Sequence, residues 1–540
     1  MVEFPNKKAN LAAAILLILM FLLAIFSLRD DSATSDELAH IPAGYSYLTQ
    51  KDYRLNPEHP PLVKDLAATP LLFLNLNFPK DSPFWQNSEQ WQFGREFLYW
   101  AGNNPDQILF WARLPMVLLL IFLGWFLFHW AKELAGNKVA LLVLTFFSFS
   151  PTFLAHGRLV TTDLAAALGV VLATYFWLKF LKNPSKKNII FSGLIFGLAL
   201  LFKFSLLILI PFFGLITIIY AWFKTRNPRP VFEYIGQAIL VGIISILVIW
   251  LIYQFQIASY LSGASIAMER ATSPSWWPTY FLGQISQSGF WNYFPIVYFL
   301  KVPLAFHILT LIALLAIFGE MRKKSIQIKE WILNHFPEFS MLIFLLVYWI
   351  VALKSPLNIG IRHLLPTLPF TYILVSLGIK NFLERIKMVK FKKVALSLVL
   401  LLLAWYLISS FSSFPYHLSY FNELADGPRN GYQYLVDSNL DWGQDLKRLA
   451  KWVEKQEIEK IYVDYFGGGD LKYYLKERAI PWYGSSWWSF ANWQTTEEFP
   501  KGNYLAVSAT FLQGGRGEPT PGFNWPAGEY NWLNDYQPIT

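Results

Sequence analysis

The chain contains no cysteine, which excludes disulfides, thiolate nucleophiles and thiolate metal sites and leaves the redox compartment open. Charge is scarce too: 15% of the 540 residues are Asp, Glu, Lys or Arg, against 54% hydrophobic. A soluble core cannot hide that much apolar surface, and the excess lies in runs of about twenty residues. The sequence therefore reads as a polytopic membrane protein. Its formal net charge of +9 implies no nucleic-acid partner, because Lys and Arg fall in short clusters between apolar runs, the pattern that sets membrane orientation. Neither an internal repeat nor a low-complexity linker is present. Trp, Tyr and Phe make up 18%, which suits interfacial belts and sugar-stacking surfaces alike.

Eleven apolar runs are expected to be helical spans: 11–28, 108–130, 139–150, 164–181, 189–202, 204–223, 232–253, 294–318, 339–353, 364–382 and 394–411. Lys7 and Lys8 precede the first, and no small-residue cleavage site appears before Asp30, so it reads as a retained anchor with a cytoplasmic start. Alternate threading places Lys132 with Lys138, Lys182 with Lys186 and Lys187, Lys224 with Arg226 and Arg229, and the clusters 322–324 and 385–393 on the cytoplasmic side. The division of 189–223 at Lys203 is decisive, since one long span there would invert everything downstream. With the division made, loops 30–106, 151–162, 254–293 and 354–362 and the whole tail are external. The expected organisation is a mainly α transmembrane domain, 1–413, with a large first external loop, 29–107, followed by a small external α/β domain, 414–540. In that tail the pattern predicts a helix over 444–456, a strand over 458–465, a turn at Gly467–Gly469, a helix over 470–477 and a strand over 504–509. The three glycines lack the Lys and Ser or Thr of a phosphate-binding loop. Trp482, Trp487, Trp488 and Trp493 either stack on an acceptor glycan or anchor the tail at the interface.

The chemistry concentrates in 30–64, where Asp30, Asp31, Asp36, Glu37, His40, Glu58 and His59 follow directly on the first span. Ionisable groups where a membrane segment meets water are costly unless used, although a solvated loop would also carry charge. Thr34 and Glu37 form a capping box, which accounts for Glu37 and, through the helix dipole, partly for Asp36. It does not account for His40, one turn past Asp36 on the same face, or for Glu58 and His59. Pro57, Pro60 and Pro61 predict an extended backbone that presents those two side chains.

The segments TSDELAH, LNPEHPPLVK, HGRLVTTD, GFWNYFPIVYFLKVP, LNIGIRHLLPTLP and SNLDWGQDL resemble bacterial relatives of the protein O-mannosyltransferases and lipid A aminoarabinose transferases. These are GT-C integral-membrane glycosyltransferases that take sugar from a polyprenyl-phosphate carrier. The resemblance spans nearly all of the membrane part. It matches an acidic pair after the first span to Asp36 and Glu37, an acidic-basic-proline element to Glu58, His59 and Pro60, and a further acid at the second external loop to Asp163. His59 stands where some relatives have Lys.

What the resemblance implies is a GT-C bundle of about eleven spans in the cytoplasmic membrane, with the N-terminus cytoplasmic and the active site and C-terminus external. The implied partners are a polyprenyl-phosphate-linked sugar and an acceptor protein, lipid or glycan. Such a reaction, written as inverting, needs a base for the acceptor hydroxyl and cations for the departing phosphate. Asp36 is expected as the base, with Glu58 and Asp163 orienting the acceptor or the sugar. Glu37, His40 and His59 are further substrate contacts, and Arg158, Lys203, Lys301, Arg362 and His363 are the candidates for the carrier phosphate, snorkelling anchors being the plain alternative. His129 and His307 read as interfacial or packed. No cofactor is required, and a divalent metal ion is left open with Asp36, His40, Glu58 and His59 as ligands. Two other classes stand beside the enzyme: a transporter or flippase of lipid-linked sugars or polysaccharide, and a silent scaffold. A transporter should place its ionisable groups at mid-membrane on broken, repeated helices. A scaffold has no reason to gather acids and cations on one face.

Overall fold

A computed structural model describes residues 5–225, 228–273, 277–321, 328–484, 499–500 and 502–539. Each of the eleven apolar runs is helical there. Among the described residues seven helices are long and apolar enough to cross a membrane, Asn6–Ser27, Pro105–Ala135, Asp163–Lys182, Phe204–Lys224, Arg229–Ile252, Phe336–Lys354 and Val389–Ser412, and the bent pair Tyr293–Lys301 and Leu304–Ile317 makes an eighth if it is one span. The other three runs form shorter or less apolar helices, Asn137–Ser148, Lys186–Leu200 and Leu368–Arg385. The chain is a multi-pass membrane protein, with exposed Leu11, Ile15, Ile18 and Leu22 giving its first helix an apolar outer face. The 108° bend falls at Val302–Pro303, where proline removes a backbone donor.

The break expected at Lys203 is present. The Lys186–Leu200 helix ends, Lys203 is extended at φ −159°, and a 3-10 turn over Phe204–Ile208 starts the next helix. Asn137 Nδ2 donates to Asn6 Oδ1 at 3.0 Å, tying the start of helix Asn137–Ser148 to that of Asn6–Ser27, and Tyr234 donates to Leu181 O at 3.2 Å, tying helix Pro228–Ile252 to the end of Asp163–Lys182. The first long loop and the tail pack together on one face. Arg226 and the 322–324 cluster lie outside the described residues.

The tail is wound into that loop face. Helix Leu446–Lys455 and the parallel strands Ile461–Asp464, Ala479–Pro481 and Tyr504–Val507 stand where the pattern placed a helix and two strands, the third strand being new. The helix presents Lys447 to Asp106, Arg448 to Asp31 and Lys451 to Asp30, at 2.8, 2.5 and 2.5 Å. A second, short sheet joins the hairpin Thr279–Phe281 and Gln284–Ser286 to the tail segment Glu518–Pro519. Trp482 is buried against Tyr462 and Phe499 and offers no free stacking face. Trp487, Trp488 and Trp493 lie outside the described residues.

Candidate active site

Four side chains from four separate segments meet at the loop face. Asp36 sits in the turn that starts helix Glu37–Gln50, and its carboxylate is not used to cap that helix. Asp163 opens helix Asp163–Lys182, where the helix dipole favours a carboxylate. Lys203 stands at the break between two helices, and Arg362 lies in the 3-10 turn Ile361–Thr367. Arg362 Nη1 reaches Asp36 Oδ2 at 2.6 Å and Asp163 Oδ2 at 3.6 Å, while Lys203 Nζ lies 2.5 Å from Asp163 Oδ1. The Asp36 side chain keeps 22% exposure, against 1% for Asp163. Burial works against the Arg362 cation, but Asp36, Asp163 and Asp437 outweigh it and keep the guanidinium charged.

Arg362 is placed by groups remote in sequence. Gly360 has φ +111°, and a Cβ there would come within 2.6 Å of Ser438 Oγ, so the turn before Arg362 needs glycine. Trp442 from the tail lies beneath the guanidinium, with Arg362 Cζ 4.2 Å from its ring centroid.

Beside this cluster the His40 and His59 rings meet edge to face at 5.0 Å, and Val160 O lies 2.8 Å from His40 Nδ1. Burial pushes both imidazoles below their usual range, and Lys203 and Asp163 lie within electrostatic reach of His59. His59 also lines a cavity of about 430 Å³ whose walls include Tyr47, Tyr53, Tyr253 and Ser259. Lys64, which the sequence did not single out, holds this loop from below. Its ammonium donates to Tyr47 Oη at 2.7 Å, Asn56 O at 2.8 Å and His59 O at 2.8 Å. Burial lowers it to about 7.

Several expected contacts are corrected by these positions. Glu58 is in non-helical backbone, as its prolines require, yet it is buried and accepts from Gln90 Nε2 at 2.9 Å and Arg270 Nη1 at 2.8 Å, so it braces the loop instead of facing a ligand. Glu37 accepts from Arg113 Nε and Nη2 at 2.8 and 2.7 Å, Val160 N at 3.0 Å, and Thr34 N and Oγ1 at 2.9 and 3.0 Å, leaving no room for a substrate. Arg158 is buried against Asp31 and Ser27 O. Lys301 spends its protons on Leu418 O at 2.9 Å, Asn439 O at 2.5 Å and the ring face of Phe421, and is a strut for the tail. His363, half-buried, stacks on Phe294 and stays within the electrostatic reach of Lys203, Arg362 and Asp163. Of the four candidate metal ligands, Asp36 pairs with Arg362 and Glu58 with Arg270, while His40 and His59 meet ring to ring. Among the described residues no group of three or more His, Asp or Glu is placed to hold a metal.

A multi-pass helical bundle of this kind resembles the fold of the GT-C glycosyltransferases. The family model described as dolichyl-phosphate-mannose-protein mannosyltransferase matches residues 106–253. ArnT from Cupriavidus metallidurans in the apo state is similar in fold, with TM-score 0.50 and 14% identity over 88% of this chain and 86% of that one. The Archaeoglobus fulgidus oligosaccharyltransferase tethered with an acceptor peptide aligns with TM-score 0.51 and 12% identity over 88% of this chain and 64% of that one. Alignment to ArnT bound to undecaprenyl phosphate covers 98% of this chain and 95% of that one at 13% identity and TM-score 0.46. No curated protein sequence matches the chain.

Proposed function

We propose that this protein is a membrane glycosyltransferase that moves a sugar, with inversion, from a polyprenyl-phosphate carrier to an acceptor hydroxyl of a protein, lipid or glycan. The observation that carries this reading is the meeting of Asp36 and Asp163 with Arg362 and Lys203, the carboxylate-plus-cation set that the reaction demands. In the proposed step Asp36 takes the acceptor proton as the acceptor oxygen bonds to the anomeric carbon. The bond from that carbon to the phosphate oxygen breaks, and its electron pair leaves with the phosphate, which Arg362 and Lys203 neutralise. Asp163, held by both cations, orients them. His59 and the tyrosine-lined cavity beside it form the sugar subsite, a surface of rings and hydroxyls suited to a polyol.

Purified protein in detergent should transfer sugar from a polyprenyl monophosphate sugar and not from a sugar nucleotide. Efficient use of a nucleotide sugar with no lipid present would count decisively against the reading.

On this reading the site faces the outside of the cytoplasmic membrane, away from cytosolic nucleotide sugars. A reporter fused after Lys187 or Lys393 should read cytoplasmic and one fused after Thr540 external, because the basic clusters mark the inner face. An external reading at Lys393 would overturn this orientation.

A further inference from the structure

The tail segment SNLDWGQDL, residues 438–446, is threaded between the two segments that carry Asp36 and Arg362, yet the step above uses none of it. On the Arg362 side Ser438 Oγ donates to Ile359 O at 2.5 Å, and Ile361 N donates to Asn439 Oδ1 at 2.9 Å. On the Asp36 side Ser35 N donates to Trp442 O at 3.1 Å, Ser32 N to Gln444 O at 2.9 Å, and Ser32 Oγ to Gly443 O at 2.8 Å. Gly443 has φ +94°, and a Cβ there would come within 2.3 Å of Gly467 Cα, so the glycine turn of the tail serves to seat this segment.

Trp442 lies between these ties. It is buried among Ala155, Leu159 and Leu418, and its ring centroid is 4.2 Å from Arg362 Cζ. A neutral ring supports the buried cation without cancelling its charge or taking its N–H groups. Those groups are only partly used: Nε donates to Ile359 O at 3.3 Å and Nη1 to Asp36 Oδ2 at 2.6 Å, while among the described residues no hydrogen bond takes Nη2. A competing acceptor stands nearby. Asp163 Oδ2 is buried without a hydrogen bond, 3.6 Å from Nη1. A guanidinium free to shift would close on that oxygen, since a buried carboxylate oxygen left unbonded is costly.

We propose that Trp442 is a positioning residue for the carrier phosphate: its ring holds Arg362 off a second bond to Asp163 and so keeps Nη2 for the phosphate. The tail is then part of the phosphate subsite. This role rests on the polyprenyl-phosphate reading above.

The test is binding of undecaprenyl phosphate to the purified full chain, for wild type, Trp442→Phe, Trp442→Met, Arg362→Gln and the double variant combining Trp442→Met with Arg362→Gln. Phe keeps an aromatic face, and Met fills a similar space without one. Backbone ties at 442 survive in both. Trp442→Phe should bind within about threefold of wild type and Trp442→Met about tenfold more weakly. Melting temperature should fall alike for the two, which separates lost packing from a lost hold on Arg362. In the Arg362→Gln background Trp442→Met should change binding by less than about twofold, because the ring then has no cation to hold. Equal binding by Trp442→Phe and Trp442→Met, or a loss of about tenfold that persists in the Arg362→Gln background, overturns the role of Trp442 alone. Where Arg362→Gln does not fold, the difference between Trp442→Phe and Trp442→Met decides. Wild type that does not bind overturns the polyprenyl-phosphate reading and this inference with it.

Discussion

Asp36→Asn should abolish sugar transfer while leaving the protein folded and able to bind its carrier. Removing a general base typically costs about 10²-fold to 10⁴-fold in rate, or about 3 to 5 kcal/mol of barrier. The structural cost is smaller. Asn retains an oxygen for Arg362 Nη1, and Arg362 keeps Asp163 at 3.6 Å and its stack on Trp442. Loss of the carboxylate from the first turn of helix Glu37–Gln50 costs at most about 1 kcal/mol through the helix dipole. Turnover and melting temperature of the purified variant check this together. Retention of more than about a tenth of wild-type turnover, against the loss expected for a base, would remove Asp36 from that role. Glu58, the other candidate acid of the loop, is held by Gln90 and Arg270 and is not free to replace it.

Glu37→Gln, one position along the chain, should do the opposite. Its carboxylate is fully buried and shared by Arg113, Val160 and Thr34. Gln keeps one acceptor oxygen but turns an amide N–H₂ toward donors, leaving the buried Arg113 without its ion-pair partner. Breaking such a pair costs about 3 to 5 kcal/mol, so yield and melting temperature should fall sharply while the folded fraction turns over near the wild-type rate. A variant with wild-type melting and a tenfold loss of turnover would instead place Glu37 in the chemistry. Burial opposes ionisation of Glu37, but Arg113 and the backbone donors prevail and lower its pKa. Its contribution is therefore present above the ordinary carboxylate range and is lost as pH falls through the depressed value.

The contrast between neighbours shows what could be read locally. Thr34 and Glu37 are three residues apart, and the sequence pattern predicted that Glu37 reaches back to the Thr34 backbone, as it does at 2.9 Å. One half of the box differs, because the Thr34 hydroxyl donates to Glu37 instead of accepting from its N–H. The prolines around Glu58 likewise fix a non-helical backbone. Whether that backbone presents or buries Glu58 depends on Gln90 and Arg270, 32 and 212 residues away, and no local pattern contains them. Lys203 and Lys301 looked alike as cations near the same face. Only packing separates the one beside Asp163 from the one spent on the carbonyls of Leu418 and Asn439.

The sequence by itself determined the helical runs, the break at Lys203 and the two helices and two strands first expected in the tail, because hydropathy and periodicity act over a few turns of chain. It also singled out Asp36, Asp163, Lys203 and Arg362 individually. Tertiary structure decided that these four meet and that Arg362 is stacked on Trp442. The contact between Asp36 and Arg362 joins residues 326 apart. It also decided that Glu37, Arg158 and Lys301 are spent inside the fold. The physical reason is that a buried charge is tolerable only where partners converge on it, and convergence is a property of the packed bundle that no stretch of the chain carries alone.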